Sequence, residues 1–203
     1  MPQFDETALA NIKERITQVE STTALEIVVR IVPQSSDYQD VRLVSAIVLS
    51  IIALGFVLFS PMVIAPVWVL PILFGAGCLG YLLHGFPGVT KRLTTATRRE
   101  KEVGTGAASS FHQQGISATR ERTGVLLYCS LLENRIELVV DHPLTGRAPG
   151  AEWGAIARLG RQRTPELKQR LHHMLDALNT LGANRFPSTG DNPNELPNEV
   201  QLG

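Results

Sequence analysis

The chain has 203 residues, two cysteines, and 19 basic against 19 acidic side chains. Two cysteines build no disulfide framework, and a chain without net charge, lacking a basic groove or aromatic interleaving, is not that of a nucleic-acid binder. The balance conceals a segregation: residues 1–42 sum to −3, 91–122 to +4, 123–186 to +2 and 187–203 to −3, while 43–90 contain no Asp, Glu, Lys or Arg.

The first segment, Asp5–Glu20, has apolar residues Leu9, Ile12, Ile16 and Val19 at three- and four-residue steps. That spacing predicts a helix, with Asp5 or Thr7 as its cap. The N-terminal sequence is acidic and amphipathic and has no apolar run of the kind a secretory signal needs. Leu25–Val32 is rich in β-branched residues and ends at Pro33, which predicts a buried strand. Gln34–Asp40 is a polar loop.

Two spans follow. A membrane-crossing helix needs about 20 predominantly apolar residues, because the hydrocarbon core is roughly 30 Å thick. Leu43–Phe59 supplies one, Ser60-Pro61-Met62 breaks the chain, and Val63–Leu83 supplies the second. The competing reading, a helical hairpin buried in a soluble core, would carry polar residues at helical period, and these are missing. With an even number of spans, both flanks lie on one side. Arg42 stands before the spans and Lys91, Arg92, Arg98, Arg99 and Lys101 stand after them, whereas the connecting loop is uncharged. The positive-inside rule therefore places both termini in the cytoplasm, with the chain in the inner membrane. The same basic residues are positioned to touch anionic lipid headgroups.

No ionisable residue lies inside the spans before His84, so the hairpin reads as an anchor rather than a transport path. Pro66 and Pro71 invite kinks in the second span. Ala76, Gly77 and Gly80 form a small-residue face suited to close packing, either on the hairpin's own first span or on a partner helix.

After the membrane, Gly85–Gly88 is expected to turn the chain. Val89–Gln114 is expected to be mostly helical, with Leu93, Ala96, Val103 and Phe111 buried and Gly104 and Gly106 as weak points. Thr123–Leu131 and Arg135–Val140 flank the short polar turn Glu133-Asn134, a hairpin signal. Ala151–Leu159 predicts a short helix carrying Trp153 and Ile156. Pro165 suits the start of another over Glu166–Leu181, with Leu167, Leu171, Met174, Leu175 and Leu178 on one stripe. The tail from Pro187 is expected to be irregular, with Leu196, Val200 and Leu202 able to dock. One helix and one strand before the spans are too little to bury a core. The first strand must therefore join the later ones, giving an α/β sheet with helices on its faces and a membrane hairpin inserted after the first strand.

The run 122–141 (RTGVLLYCSLLENRIELVVD) resembles the core strand pair of TPM-domain proteins, and 23–31 (TALEIVVRI) resembles that family's first strand. The Trp153 helix and the Leu-rich helix 166–181 fall in the family's order, and Asn194–Pro197 (NELP) is similar to a motif ending a subgroup of bacterial TPM membrane proteins. The resemblance covers everything but the hairpin and part of the tail. It implies an α/β/α sandwich. The family includes a thylakoid acid phosphatase, a photosystem II repair factor and a receptor accessory protein, which implies assembly or maintenance of membrane complexes, or alternatively a metal-dependent phosphatase. This chain has Arg122-Thr123 where many members have Asp-Asn, and Asp141-His142-Pro143-Leu144 where a glycine-rich turn is usual. Both departures weaken a carried-over hydrolysis.

For chemistry, Glu26 and Asp141 fall at strand ends, and His142 can add a ligand; carboxylates with carbonyls suit Ca2+ or Mg2+. The competing reading is a turn-stabilising acid beside a surface histidine, and no cofactor is expected otherwise. Arg122, Arg135 and Arg147 are the candidate phosphate clamps of a hydrolase, against the plainer reading of solvated surface arginines. His172-His173 lacks the i, i+4 spacing of a helical metal pair, and Cys129 reads as a small core residue rather than a nucleophile. The leading expectation is a non-enzymatic module, anchored in lipid, whose partners are other integral membrane proteins or a larger membrane complex.

Overall fold

A computed structural model describes residues 4–83, 87–162, 164, 166–188 and 200–202. The chain forms two compact units: residues 1–35 with 100–203, and residues 36–99.

The first unit is a mixed α/β fold. Helix α1 (Glu6–Thr22) starts where expected, because the Asp5 carboxylate accepts the Ala8 amide at 2.9 Å and satisfies an orphan donor. Strand β1 (Glu26–Val32) follows, and the chain then enters the second unit. After α2 (Gln39–Phe59), α3 (Val69–Leu83) and α4 (Pro87–Leu93) of that unit, it returns through helix α5 (Ala96–Gln113) to strands β2 (Gly124–Ser130) and β3 (Arg135–Val140). Helices α6 (His142–Arg147), α7 (Gly150–Arg161) and α8 (Leu167–Arg185) complete the unit, with a two-residue strand β4 (Gln201–Leu202).

The sheet order is β3-β2-β1-β4. Strand β1 runs parallel to β2, with Glu26 opposite Gly124 and Val32 opposite Ser130, while β2 and β3 pair antiparallel. The strand before the hairpin therefore does join those after it. Side chains alternate across the sheet. Ile27, Val29, Ile31, Val125, Leu127 and Cys129 face one core with Ile12 and Ile16 of α1, Trp153 of α7 and Leu171 and Met174 of α8. Val28, Val32, Leu126 and Tyr128 face the other, against Val103, Ala107 and Phe111 of α5 and Ile116.

Four expectations change. The predicted helix over 89–114 is two helices, Pro87–Leu93 and α5, interrupted at Thr94-Thr95; Leu93 and Ala96 are exposed. Gly104 and Gly106 do not interrupt α5, and a Cβ on Gly106 would come within 2.7 Å of the Tyr128 hydroxyl, so the glycine admits that ring. The Asp141–Leu144 stretch opens α6, because Asp141 supplies an N-cap and Pro143 fits a first turn. The tail is not wholly irregular: Arg30 and Ile31 of β1 pair in parallel with Gln201 and Leu202, and Pro187 bridges to Thr23. Leu196, Pro165, His84, Gly85, Phe86 and the 194–197 motif lie outside the described residues.

The second unit is a helical hairpin with a short appendage. Helix α2 (Gln39–Phe59) runs past the predicted span by four residues at its start. A 3-10 turn (Pro66–Trp68) leads into α3 (Val69–Leu83), and α4 (Pro87–Leu93) follows. Val63–Ala65 are not helical, so the second apolar helix starts later than expected. Pro66 and Pro71 sit in first turns, where a missing N–H costs nothing, rather than kinking a helix interior.

Candidate functional site

The most distinctive chemistry is the outer surface of the hairpin. Helix α2 has 21 residues and the segment Pro66–Leu83 has 18. At 1.5 Å per residue they reach about 31 Å and 27 Å, so both are long and apolar enough to cross a membrane. None of α2 is buried, and in α3 the one buried residue is Gly80. Ile47, Ile51, Ile52, Phe56, Phe74 and Leu82 all stand exposed. A hairpin serving as the core of a soluble protein would have such side chains covered; here they face outward around both helices.

The two helices hold together through their small residues. A Cβ on Gly80 would lie 2.7 Å from the Ser45 carbonyl oxygen and 2.9 Å from the Ala46 Cα, and one on Gly77 would lie 2.9 Å from the Ser50 hydroxyl. Ser50 also donates to the Leu73 carbonyl at 3.1 Å, an interhelical bond of the kind that substitutes for hydrophobic driving force in lipid. Of the two readings of the small-residue face, Gly77 and Gly80 therefore pack the hairpin's own first helix. Ala76 is half-buried beside them.

Five of the six predicted membrane-surface basic residues, Arg42, Lys91, Arg92, Arg98 and Arg99, belong to this unit, against two acids, Asp37 and Asp40. Lys101 belongs to the other unit. Arg98 pairs with Asp40 and lies 5.9 Å over the Tyr38 ring, Arg42 is 3.7 Å from Asp37, and Arg99 donates to the Lys91 carbonyl at 3.1 Å. Lys91 and Arg92 are exposed. The basic residues thus flank the start of α2 and the stretch after α3, and the Ser60–Ala65 connection at the other end of the hairpin has no charge.

The sheet end holds the proposed metal trio. Glu26 and Asp141 do share an end of the sheet: Glu26 is opposite Gly124, and the Asp141 amide donates to the Gly124 carbonyl at 3.0 Å. Two strand spacings separate their backbones, roughly 10 Å. The space over Gly124 is filled, since a Cβ there would come within 2.3 Å of the Ile116 oxygen and 2.6 Å of its Cγ2. Asp141 is buried and committed: Arg122 Nε donates to Oδ2 at 3.2 Å, Arg122 Nη2 to Oδ1 at 3.1 Å, and the His142 amide to Oδ1 at 2.7 Å. A guanidinium therefore stands where a cation would sit, and the His142 ring is exposed. Among the described residues no group of three His, Cys, Asp or Glu side chains is arranged to hold a metal ion.

The candidate phosphate clamps do not converge. Arg122 pairs with Asp141, Arg135 with Glu100 at 2.6 Å, and Arg147 lies 5.0 Å over the Phe186 ring. Burial pushes the Cys129 thiol up to about 12, so it carries no thiolate at neutral pH. Burial likewise raises the Tyr128 phenol above its usual value.

Arg170 went unnoticed in the sequence. It is 1% exposed on α8. Its Nη1 donates to the carbonyls of Gly160 and Gln162, and its Nη2 to the Asn134 carbonyl at 3.2 Å and the Asn134 side chain at 2.6 Å. Asn134 has φ +53 in the β2–β3 turn. One buried side chain thereby joins that turn, the end of α7 and α8. It stands three residues after Leu167 and four before Met174, at the edge of the apolar stripe, and that place in the period is the sequence signal that could have found it.

No family model matches the chain, and no curated protein matches it. Among solved structures it is similar to the BA42 protein of the psychrophilic bacterium Bizionia argentinensis, determined by NMR, with TM-score 0.58 and 16% identity over 98% of this chain and 94% of that one. At that identity the likeness concerns the fold alone.

Proposed function

We propose that this protein is a membrane-anchored, TPM-like interaction module that helps assemble, stabilise or maintain a membrane protein complex. One observation carries the reading: a closed two-helix hairpin, apolar on its outer surface, is inserted between β1 and the rest of an α/β domain whose strands pair across the insertion. Burial of the exposed Ile, Leu and Phe side chains in lipid is favourable by about 25 cal/mol per Å². The basic residues at one end of the hairpin then face the cytoplasm, with residues 1–42 and 91–203 on that side and Ser60–Met62 outside. Two chain connections, rather than one flexible linker, tether the domain to its anchor. Such a tether suits a module that meets partners in the plane of the inner membrane. At the sheet end the buried Asp141 carboxylate is already paired with the half-exposed Arg122, which favours interaction over hydrolysis.

Topology is tested by one introduced cysteine at Met62 or at Ser188 in a Cys78→Ala background, where the buried Cys129 serves as the unlabelled control, probed with an impermeant maleimide. Labelling of Met62→Cys in intact cells, and of Ser188→Cys only after permeabilisation, is expected; the reverse pattern refutes the orientation. Crosslinking in native membranes followed by detergent purification should recover larger membrane proteins, and a clean monomer would count against the assembly role.

A further inference from the structure

A groove of about 300 Å³ opens where α2, the end of α3 and α4 meet. Its walls include Val44, Val48 and Leu49 of α2, Leu83 of α3, and Val89 and Leu93 of α4. These side chains are aliphatic, the one hydroxyl in the lining, Ser45, donates to the Val41 carbonyl, and Leu93 is more than half exposed. Helix α4 is too short to be stable by itself, and it turns Val89 and Leu93, four residues apart, toward the groove.

The rim has the opposite character. Residues seven apart on a helix share a stripe, so Arg42 stands two turns before Leu49 on the groove side of α2. Helical side chains tilt toward the N-terminus, which carries the Arg42 guanidinium outward from the apolar floor. Arg92 is three residues after Val89 and adjacent to Leu93, so it borders the groove-facing stripe of α4. Lys91 points away from that stripe. Arg42 keeps only a 3.7 Å approach to Asp37, and Arg92 has no ion pair among the described residues. The unit carries five basic residues against two acids.

From this we infer that the groove is a binding site for an anionic phospholipid of the leaflet nearest the basic residues, with one acyl chain along Val44, Val48 and Leu83 and the phosphate between Arg42 and Arg92. The inference rests on the membrane reading above and names the lipid class and the residues that select it. An aliphatic floor alone would accept any acyl chain. Two guanidiniums at the mouth, each able to hold a phosphate through paired N–H donors, make the anionic headgroup the preferred one.

The test uses the full chain in nanodiscs and in mild detergent, with native mass spectrometry and a competition between phosphatidylglycerol and phosphatidylcholine. Retained phosphatidylglycerol in clear excess is expected for the wild type. Arg42→Gln with Arg92→Gln should lower its apparent affinity about 25-fold, taking a factor of about five per basic residue near an anionic headgroup. Val44→Trp, which fills the groove without changing charge, should remove retention as well. Arg158→Gln, at an exposed position of α7, should leave it unchanged. An equal loss on Arg158→Gln, or no effect of Val44→Trp, would mean diffuse adsorption and overturn the site. Equal retention of both lipids by a carbonate-resistant wild type would overturn the site while leaving the anchor intact. Extraction of the wild type by carbonate would overturn the anchor and, with it, the site.

Discussion

Arg122 and Asp141 form a two-pronged ion pair across the end of the sheet, 3.1 and 3.2 Å between donors and acceptors, with Asp141 3% exposed and Arg122 55% exposed. Asp141 at the same time caps α6. Asp141→Ala should therefore destabilise the protein by about 2–3 kcal/mol, from a lost cap and a lost charged hydrogen bond. Arg122→Ala should cost less, about 1 kcal/mol, because the remaining carboxylate keeps its helix cap and Arg122 is largely in water. Denaturant unfolding followed through Trp153 in a Trp68→Phe background measures both. A rise in stability with Ca2+ or Mg2+ that vanishes in Asp141→Ala would restore the metal reading of this corner.

Gly80 lies against the backbone of α2 at Ser45 and Ala46. Any larger side chain must push the two helices apart, and in lipid no hydrophobic term compensates for the lost contacts. Gly80→Leu should lower the thermal midpoint of the detergent-solubilised protein and its accumulation in membranes, whereas Gly75→Leu, at a position with open space around it, should do neither. Equal behaviour of the two variants would show that the hairpin is not held by this contact.

Arg170 donates to three backbone carbonyls from two separate segments while fully buried. Burial lowers its pKa from the ordinary guanidinium value, yet it remains charged at any working pH. Arg170→Met keeps the volume but leaves the carbonyls of Gly160, Gln162 and Asn134 without their donor. A loss of about 3–5 kcal/mol is expected, several lost charged hydrogen bonds taken together. Arg170→Lys should recover only part of it, since an ammonium cannot span both carbonyl groups as the planar fork does.

These cases separate what the sequence could and could not reveal. Ile12, Ile16 and Val19 on α1, and Leu167, Leu171, Met174 and Leu178 on α8, are buried as their spacing required, because a helix facing one core repeats its apolar residues at a fixed period. The joining of β1 to the later strands followed from the size of the pieces: the one helix and one strand before the hairpin cannot bury a core alone. Period carries no information about partners, however. It could not show that Arg122 would reach Asp141, or that Ile116 would fill the face over Gly124. Nor could it show what Arg170 would bond to inside, because its place beside the apolar stripe of α8 marks a face but names no acceptor. The break at Thr94-Thr95 was hidden for a similar reason, since the residues around it have adequate helix propensity on either side.

His172 supplies the last prediction, and its sign can be worked out. Its ring is partly buried on α8, with Nδ1 shielded from water and without a hydrogen-bond partner among the described residues. Burial, then the nearby Arg15 and Lys168, lower its pKa below the ordinary 6.5, with Asp176 acting in the opposite sense. Protonation in the folded state would bury an N–H with no acceptor beside two cations. The unfolded chain thus takes up the proton first as pH falls. The stability contributed by neutral His172 is complete above about pH 6.5 and is lost as pH drops toward the lower, folded-state value. Thermal midpoints of the wild type should accordingly decline between pH 7.5 and 5, and His172→Gln should flatten that decline. His173→Gln, on an exposed ring one position along, should leave the slope as it is. Identical slopes for wild type and His172→Gln would place the acid sensitivity elsewhere, on the carboxylates; Asp5, whose pKa is held down by the Ala8 amide, would be the next residue to replace.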